Sequence, residues 1–407
     1  MRRREMQQAP EGKLDVKVLM VTPLMDPSHP ILGFIPSWVN ALAKRVGKLY
    51  VATSKAAAGS IAYEWSPSTQ RKCVKPLRLR LGALRYAYVG LKVGTLALKL
   101  LLRREVDVVW VHMNPELALA VAPFVKLTRT PLALWYLHRE LKLKLRLAHA
   151  LSDVVITASK EVYPIVDAKV KEIGHGIEPL EAPRREREGT ILIMGRLSRV
   201  KRVEEALKAL KILRQEGLKA ELEVVGPVYD EEYLKELKEL TKKLGIEGAV
   251  RFRGAVPHDE VTHCYAEASI LVSCSPLFDK VVLEAMSMGL PVVVCDPSFK
   301  AFLGVYCGLC MYEAGSPRSL ADKLMALLTS RERRAAVGEE LKKRVREEHG
   351  LDAFALKLAK TLHEAVRSKR SQVAKRSVIE VSKPRRESSL SCGASRSFTL
   401  AAQRCKP

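Results

Sequence analysis

A chain of 407 residues is too long for one ordinary core and predicts two domains of roughly 150–200 residues each. Its 47% hydrophobic and 28% charged residues are those of a soluble globular protein, and eight cysteines lying mostly inside apolar runs argue for a reducing compartment over a disulfide framework. The formal net charge of +24 brings anionic partners into view: nucleotide, nucleic acid or membrane surface.

The best apolar window, residues 106–125, contains Asp107, His112, Asn114, Pro115 and Glu116 and does not read as a membrane span. The basic start MRRREMQQAPEGK is not followed by an apolar core of signal-peptide length, so a cytoplasmic protein is expected.

In chain order, VKVLMVTP (16–23) reads as a fully buried parallel strand closed by proline. Gly33 opens a segment with helical spacing at Trp38, Leu42 and Val46, and KLYVATS is a second strand. After a long basic stretch come VDVVWVH (strand), PELALAVAPFVKL (helix), TPLALWYLH (strand), SDVVITAS and KVKEIGHGI. Residues 178–189, EPLEAPRREREG, are rich in proline and charge and mark the domain break.

A second series then begins with TILIMG (strand), RVEEALKALKILRQEG (helix), KAELEVVG (strand) and DEEYLKELKELTKKLG, a helix ending on glycine. AVRFRG, HDEVTHCYAEAS, ILVSCS, an apolar helical segment, PVVVCD and GLCMYEAG continue it, and three helical segments close it. From Arg367 the chain is rich in Ser, Lys and Arg and nearly free of acid, and is expected to be disordered. The fold class expected is α/β, with two Rossmann-like domains and a ligand cleft at the C-terminal ends of both parallel sheets.

The predicted boundaries are 1–180 for an N-terminal Rossmann-like domain, 181–189 for the linker, 190–350 for a second Rossmann-like domain, 351–366 for a closing helix returning to the first domain, and 367–407 for the tail.

The strongest local signal is ILIMGRLSRVKRVEEAL (191–207): a strand, a glycine, a short turn and a helix start. Gly195 permits the tight turn, and the helix N-terminus offers unpaired N–H groups and a positive dipole end. Arg196 and Lys201 fall on the turn, where both can reach a pyrophosphate; a solvated basic loop is the alternative. In SPLFDKVVLEAMSMGLPVVVCD (275–296), one carboxylate, Glu284, stands about one turn into an apolar segment, either to hold something or as an ordinary surface Glu on a capped helix.

No acid lies between Glu64 and Glu105, whereas ten residues there are Lys or Arg. Arg78, Arg85, Lys92 and Lys99 recur every seven residues, so over 71–104 a basic amphipathic helix is expected, either at a membrane surface or packed on the domain. LKLKLRLAH (141–149) is a second basic candidate whose alternation also fits a strand. Cys307 and Cys310 form a lone C-x-x-C, a weak zinc signal, and read as two small residues at a strand start. No metal site is expected.

GRLSRVKRVEEALKAL, VVG, VRFRGAV, VTHCYAEASILVSCS and VVLEAMSMGLPVVV resemble, in that order and spacing, the family 4 glycosyltransferases, over most of residues 14–366. The resemblance implies the GT-B fold, a nucleoside-diphosphate sugar as co-substrate (UDP- or GDP-linked), no cofactor or metal, and retaining, front-face transfer of a hexosyl group to a saccharide or lipid-linked acceptor. It implies that Arg196 and Lys201 hold the diphosphate of the donor, bound by the second domain, and stabilise charge during transfer, and that Glu284 holds the ribose by accepting hydrogen bonds from both hydroxyls. It also implies that Gly33 lets backbone approach the donor phosphate or the acceptor, which the N-terminal domain binds, and that His138 faces the transferred sugar. His175 stands where the family often has asparagine lining the cleft. The family's first glutamate is replaced by Pro276 and its glycine-containing loop by Leu277, Phe278, Asp279 and Lys280. Asp279 can take over the sugar contact or simply cap a helix, and Lys280 can reach donor phosphate. Other nucleotide-sugar enzymes (an epimerase or phosphorylase) use the same architecture. A nucleic-acid binder fits the charge, but no such motif is present and nucleic acid is not an expected partner.

Overall fold

The structure, a computed structural model, describes residues 13–27, 29, 32–56, 69–73 and 82–382. The first half runs β1 (Leu14–Met25), α1 (Ile35–Ala43), β2 (Val46–Ala56), β3 (Thr69–Cys73), α2 (Gly82–Leu102), β4 (Val108–His112), α3 (Pro115–Leu127), β5 (Leu132–Trp135), α4 (Leu143–Leu151), β6 (Val154–Thr157) and β7 (Val170–Glu172). Its strands form one parallel seven-stranded sheet in the order β3-β2-β1-β4-β5-β6-β7.

The second half runs β8 (Thr190–Met194), α5 (Val203–Gln215), β9 (Glu221–Val225), α6 (Glu231–Leu244), β10 (Val250–Gly254), α7 (His258–Glu267), β11 (Ile270–Ser273), α8 (Lys280–Ser287), β12 (Val292–Val294), α9 (Lys300–Leu303), α10 (Cys307–Cys310), α11 (Pro317–Leu328), α12 (Arg331–Glu348) and α13 (Leu351–Ser382). A parallel five-stranded sheet has the order β10-β9-β8-β11-β12.

Every residue of β4, β5, β6 and β8 is buried, because helices cover both faces of these sheets; hence the continuous apolar runs in the sequence. Helix ends follow local chemistry. The Asn114 side chain accepts from Leu117 N at 2.8 Å to start α3, Asp230 accepts from Tyr233 N at 2.9 Å to start α6, and Gly245 ends α6 at φ +64°. In each sheet the strand order reverses beside the first strand, between β1 and β4 and between β8 and β11. Loops leave in opposite directions there, and a crevice opens at the C-terminal strand ends.

The chain crosses between the two sheets at two adjoining segments. Ile177 N donates to His349 O at 2.7 Å and Leu351 N to Ile177 O at 2.8 Å, so the outgoing strand end and the returning α12–α13 turn are stitched together. From that turn α13 brings Phe354 against Trp38 and Trp135, with ring centroids 4.3 and 5.4 Å away. Gly176, at φ +71°, is required here: a Cβ would lie 2.7 Å from both Phe354 and Trp38 Nε1, which donates to Gly176 O. The later part of the expected linker is held to the end of α7 by Arg185 N and Arg187 N, which donate to Ala266 O and Glu267 O. The buried Arg334 guanidinium pairs with Glu186 at 2.7 Å.

The structure decides several local expectations. LKLKLRLAH takes the helical of its two readings, and α4 buries Leu145, Ala148 and His149 at helical spacing. Because β5 and β6 already pair with each other, a strand between them would have no place in the sheet, and a parallel crossover needs a helix. Cys307 and Cys310 form a helical turn, not a strand start; Cys310 is buried where that turn packs on β12 and α11, and Met311 then bridges to Val294.

Disorder from Arg367 is also corrected, since α13 continues through Ser382. No proline or glycine interrupts the chain between Arg367 and Pro384, and its Lys, Arg, Ala and Gln residues favour helix. Residues 383–407 lie outside the described residues. In the basic stretch, 71–73 belong to β3 and the helix begins at Gly82; Arg78 lies outside the described residues, as does the Arg85 side chain. Lys92 and Lys99 are exposed on α2, while Val93, Ala97, Leu100 and Leu101 are buried in the core that α2 shares with α3.

Three imidazoles are sealed into the interior near the crossover. Burial pushes His112 and His175 down to about 3, with nearby Lys280 adding to the effect at His175, and pushes His349 down to about 4. In the unfolded chain each binds a proton near the ordinary value of 6.5, so the unfolded state holds more protons below that pH. Their contribution is complete above pH 6.5 and is lost as pH falls toward 4, by about 1.4 kcal/mol per pH unit per group. Denaturant midpoints measured from pH 7 to pH 4 will fall steeply, and His175→Asn will make the decline shallower.

Candidate active site

At the end of β8, Gly195 adopts φ +117° and its N–H donates to Val225 O at 2.9 Å. A Cβ on the facing Gly226 would come within 2.0 Å of Gly195 O, so the ends of β8 and β9 meet only because that residue is glycine. A single 3-10 turn, Arg199–Lys201, follows, and Arg202 enters α5 with φ +47°. A non-glycine residue in this region carries about 1–2 kcal/mol of strain, a feature that concentrates at binding turns. The turn folds Lys201 back over Gly195: a Cβ at 195 would lie 3.2 Å from Lys201 Nζ.

Lys201 Nζ reaches across to Asp279 Oδ2 at 2.8 Å, with both side chains largely buried, and Ser273 Oγ at the end of β11 donates to the same oxygen at 3.2 Å. Asp279 occupies the N-cap position of α8, yet its carboxylate bonds no helix N–H. Of its two expected roles, side-chain capping is therefore not made, and the carboxylate faces Lys201 instead. One turn into α8, Glu284 accepts from Tyr265 OH at 3.1 Å and pairs with Lys280. Arg196 stays exposed; its guanidinium lies over the Tyr229 ring, 5.4 Å from the centroid, and no carboxylate pairs with it among the described residues.

The first sheet supplies the opposite wall. Gly33 N donates to His29 O at 2.9 Å, and a Cβ at 33 would lie 2.6 and 2.8 Å from Pro27 O and His29 O, so this loop is too tight for a side chain. The neighbouring Phe34 ring stands 5.1 Å from Lys280 Nζ, joining the glycine loop to α8. His138 lies just beyond β5 with part of its surface open. Protein around it depresses its pKa below the ordinary imidazole value; the Arg196 charge across the crevice acts in the same direction and Glu140 opposes it. His175 is walled in between Phe34 and Trp38, with ring centroids 5.9 and 5.8 Å away, and presents no exposed face.

The arrangement thus gathers Gly195, Arg196, Lys201, Asp279, Lys280 and Glu284 around the α8 N-terminus, with Gly33 and His138 facing them and His175 behind the wall. Sequence reasoning missed Arg139, Tyr265, Tyr229 and Asp296. Tyr265 belongs to a helix whose spacing signals core, and Arg139 carries no local signature beyond following His138.

With this geometry in view, the comparisons with known proteins are specific. Residues 178–344 match the family model for glycosyl transferases group 1. That match runs from the segment before β8 into α12. An uncharacterised glycosyltransferase of Methanocaldococcus jannaschii is 32% identical over 166 residues, 34% of this chain, and the match spans 41% of that relative's length. The HepE protein of Anabaena, solved with UDP and glucose, superposes with a TM-score of 0.66 at 17% identity over 85% of this chain and 99% of its own. Sucrose-phosphate synthase of Thermosynechococcus elongatus gives 0.66 at 15% identity over 90% and 100%. The two-sheet architecture is the GT-B glycosyltransferase fold.

A cavity of about 900 Å³ also opens at the crossover, beside Pro179, Leu180, Met288, Val345 and Leu351. Lys342 and Arg346 also line it, but no strand of either sheet does, so it lies apart from the crevice at the strand ends. Among the described residues, no three His, Cys, Asp or Glu side chains cluster as metal ligands do.

Removing one partner from a largely buried ion pair strands the other charge. Lys201→Met is expected to lower unfolding free energy by about 2–3 kcal/mol, and Lys201→Met with Asp279→Leu will recover most of that loss in urea titrations.

Proposed function

We propose that the protein is a retaining glycosyltransferase of the family 4 type, moving a hexosyl group from a UDP- or GDP-linked sugar to a saccharide or lipid-linked acceptor. The observation that carries this reading is the exposed Arg196 beside Lys201 on a strained turn at the strand-order reversal, opposite the α8 carboxylates. Two cations suit a diphosphate, each charge-assisted contact contributing about 1.5–3 kcal/mol. The α5 terminus that the sequence offered as a further donor is already capped, Val203 N donating to Tyr233 OH at 2.8 Å and Glu205 N to Arg202 O at 3.0 Å. Glu284, already an acceptor for Tyr265, keeps lone pairs for ribose hydroxyls.

Lys201 must leave Asp279 or share it when phosphate arrives, and the displaced Asp279 is then placed to accept hydroxyls of the transferred sugar in place of the glutamate that Pro276 replaces. Transfer proceeds on the face the nucleotide leaves: the leaving phosphate takes the acceptor's proton while an oxocarbenium-like centre forms. The protein contributes position and positive charge. These side-chain cations supply the charge stabilisation, and no metal is needed.

UDP or GDP will raise the melting temperature by mass action, and Arg196→Ala will lower kcat/KM by about tenfold or more with little change in melting temperature. Near-normal turnover in that variant removes the phosphate assignment. Isomerisation of the donor without acceptor would replace the transferase reading by an epimerase.

The acceptor side fits a lipid-linked or membrane-bound substrate at an anionic surface on a cytoplasmic face. On α4, Leu143 and Leu147 are exposed beside exposed Lys144 and Arg146; on α2, Leu91 and Leu102 are exposed beside exposed Lys92 and Lys99. Basic residues near an anionic leaflet contribute about 1 kcal/mol each. No helix among the described residues is long and apolar enough to cross a membrane. The protein will sediment with anionic liposomes at physiological salt, and Leu143→Ser with Leu147→Ser will weaken this; no sedimentation of the wild type favours a soluble acceptor.

A further inference from the structure

Arg139 directly follows His138 on the first-sheet wall, and its guanidinium ends on the second. Nη1 donates to Pro276 O at 2.6 Å, and Nη2 pairs with Asp296 Oδ1. Asp296 follows β12 and is 1% exposed; the same Oδ1 accepts from Ser298 N at 3.1 Å, while Oδ2 is buried with no partner among the described groups. Arg139 is the one cation paired with this carboxylate among the described residues.

Two physical consequences follow. A buried carboxylate is costly without a cation, so separating the walls at this point would strand Asp296. A guanidinium is a rigid planar fork, so gripping a carbonyl and a carboxylate together fixes orientation as well as distance. Its carbonyl partner belongs to Pro276, the residue standing where the family has its sugar-holding glutamate. The backbone of the 275–279 loop, which leads to Asp279 and α8, is therefore registered against the His138 segment by this contact.

We propose that Arg139 is a positioning residue, a strut across the crevice that sets His138 and the Pro276 loop at their working separation. The inference rests on the transferase reading for its kinetic consequence, not for its structural one. Arg139 touches neither the diphosphate turn nor Glu284, so its loss acts on geometry at the sugar end and spares nucleotide binding.

The test compares Arg139→Ala, Arg139→Lys and the neutral pair Arg139→Gln/Asp296→Asn, which leaves no stranded charge, by steady-state kinetics and small-angle X-ray scattering of the full chain. Expected are a kcat at least about tenfold lower in Arg139→Ala and in the neutral pair, a donor KM within about threefold of wild type, and partial recovery in Arg139→Lys. The radius of gyration of the ligand-free protein will increase when Arg139 is lost. Wild-type kcat in the neutral pair overturns the proposal, as does a rise in KM without loss of kcat. If the wild type binds neither UDP nor GDP, the transferase reading falls, and scattering alone judges the strut: expansion sustains it and an unchanged profile overturns it.

Discussion

Lys201 and Asp279 meet at 2.8 Å between the turn that follows β8 and the start of α8, and the candidate site is organised around that contact. The ammonium is carried there because Gly195 and Gly226 let two strand ends close up and because Arg202 accepts an unfavourable backbone angle. The carboxylate is held by Ser273 from the next strand, so three consecutive strand ends of the second sheet converge on one ion pair. Glu284 and Lys280 inherit their positions from the same helix, one turn further on.

The two sheets are coupled by contacts of a different kind at each side of the crevice. On one side the chain crosses twice, and the crossings are stitched by backbone hydrogen bonds and by the Trp38, Trp135 and Phe354 rings, with a glycine where any side chain would collide. On the other, Arg139 reaches over to Pro276 O and Asp296. The first is apolar and extensive and suits a hinge; the second is polar and local, and water can replace it. A two-walled enzyme that must admit a substrate and then exclude solvent needs this asymmetry.

Charge is distributed unevenly over the molecule. The buried carboxylates of the second half, Glu223, Glu205 and Asp296, have internal partners in Arg187, Tyr312 and Arg139. By contrast, α2 and α4 on the first sheet expose lysine and arginine next to leucine.

The sequence by itself determined the alternation of elements, the glycine and two cations after β8, and the carboxylate at Glu284 among apolar neighbours. Each is a local property: apolar periodicity reports burial, and glycine, proline and capping residues report backbone angle. Only the tertiary structure decided what those groups touch. The partner of Lys201 is 78 residues away and that of Arg139 is 157 residues away, and no periodicity records a pairing at such separations. The same holds for His175, which a linear motif places in the cleft and packing places behind Phe34 and Trp38. Residues 141–149 show the limit most directly: their alternation suits a strand, but β5 and β6 had already filled the sheet, and the fold left only a helix for them to form.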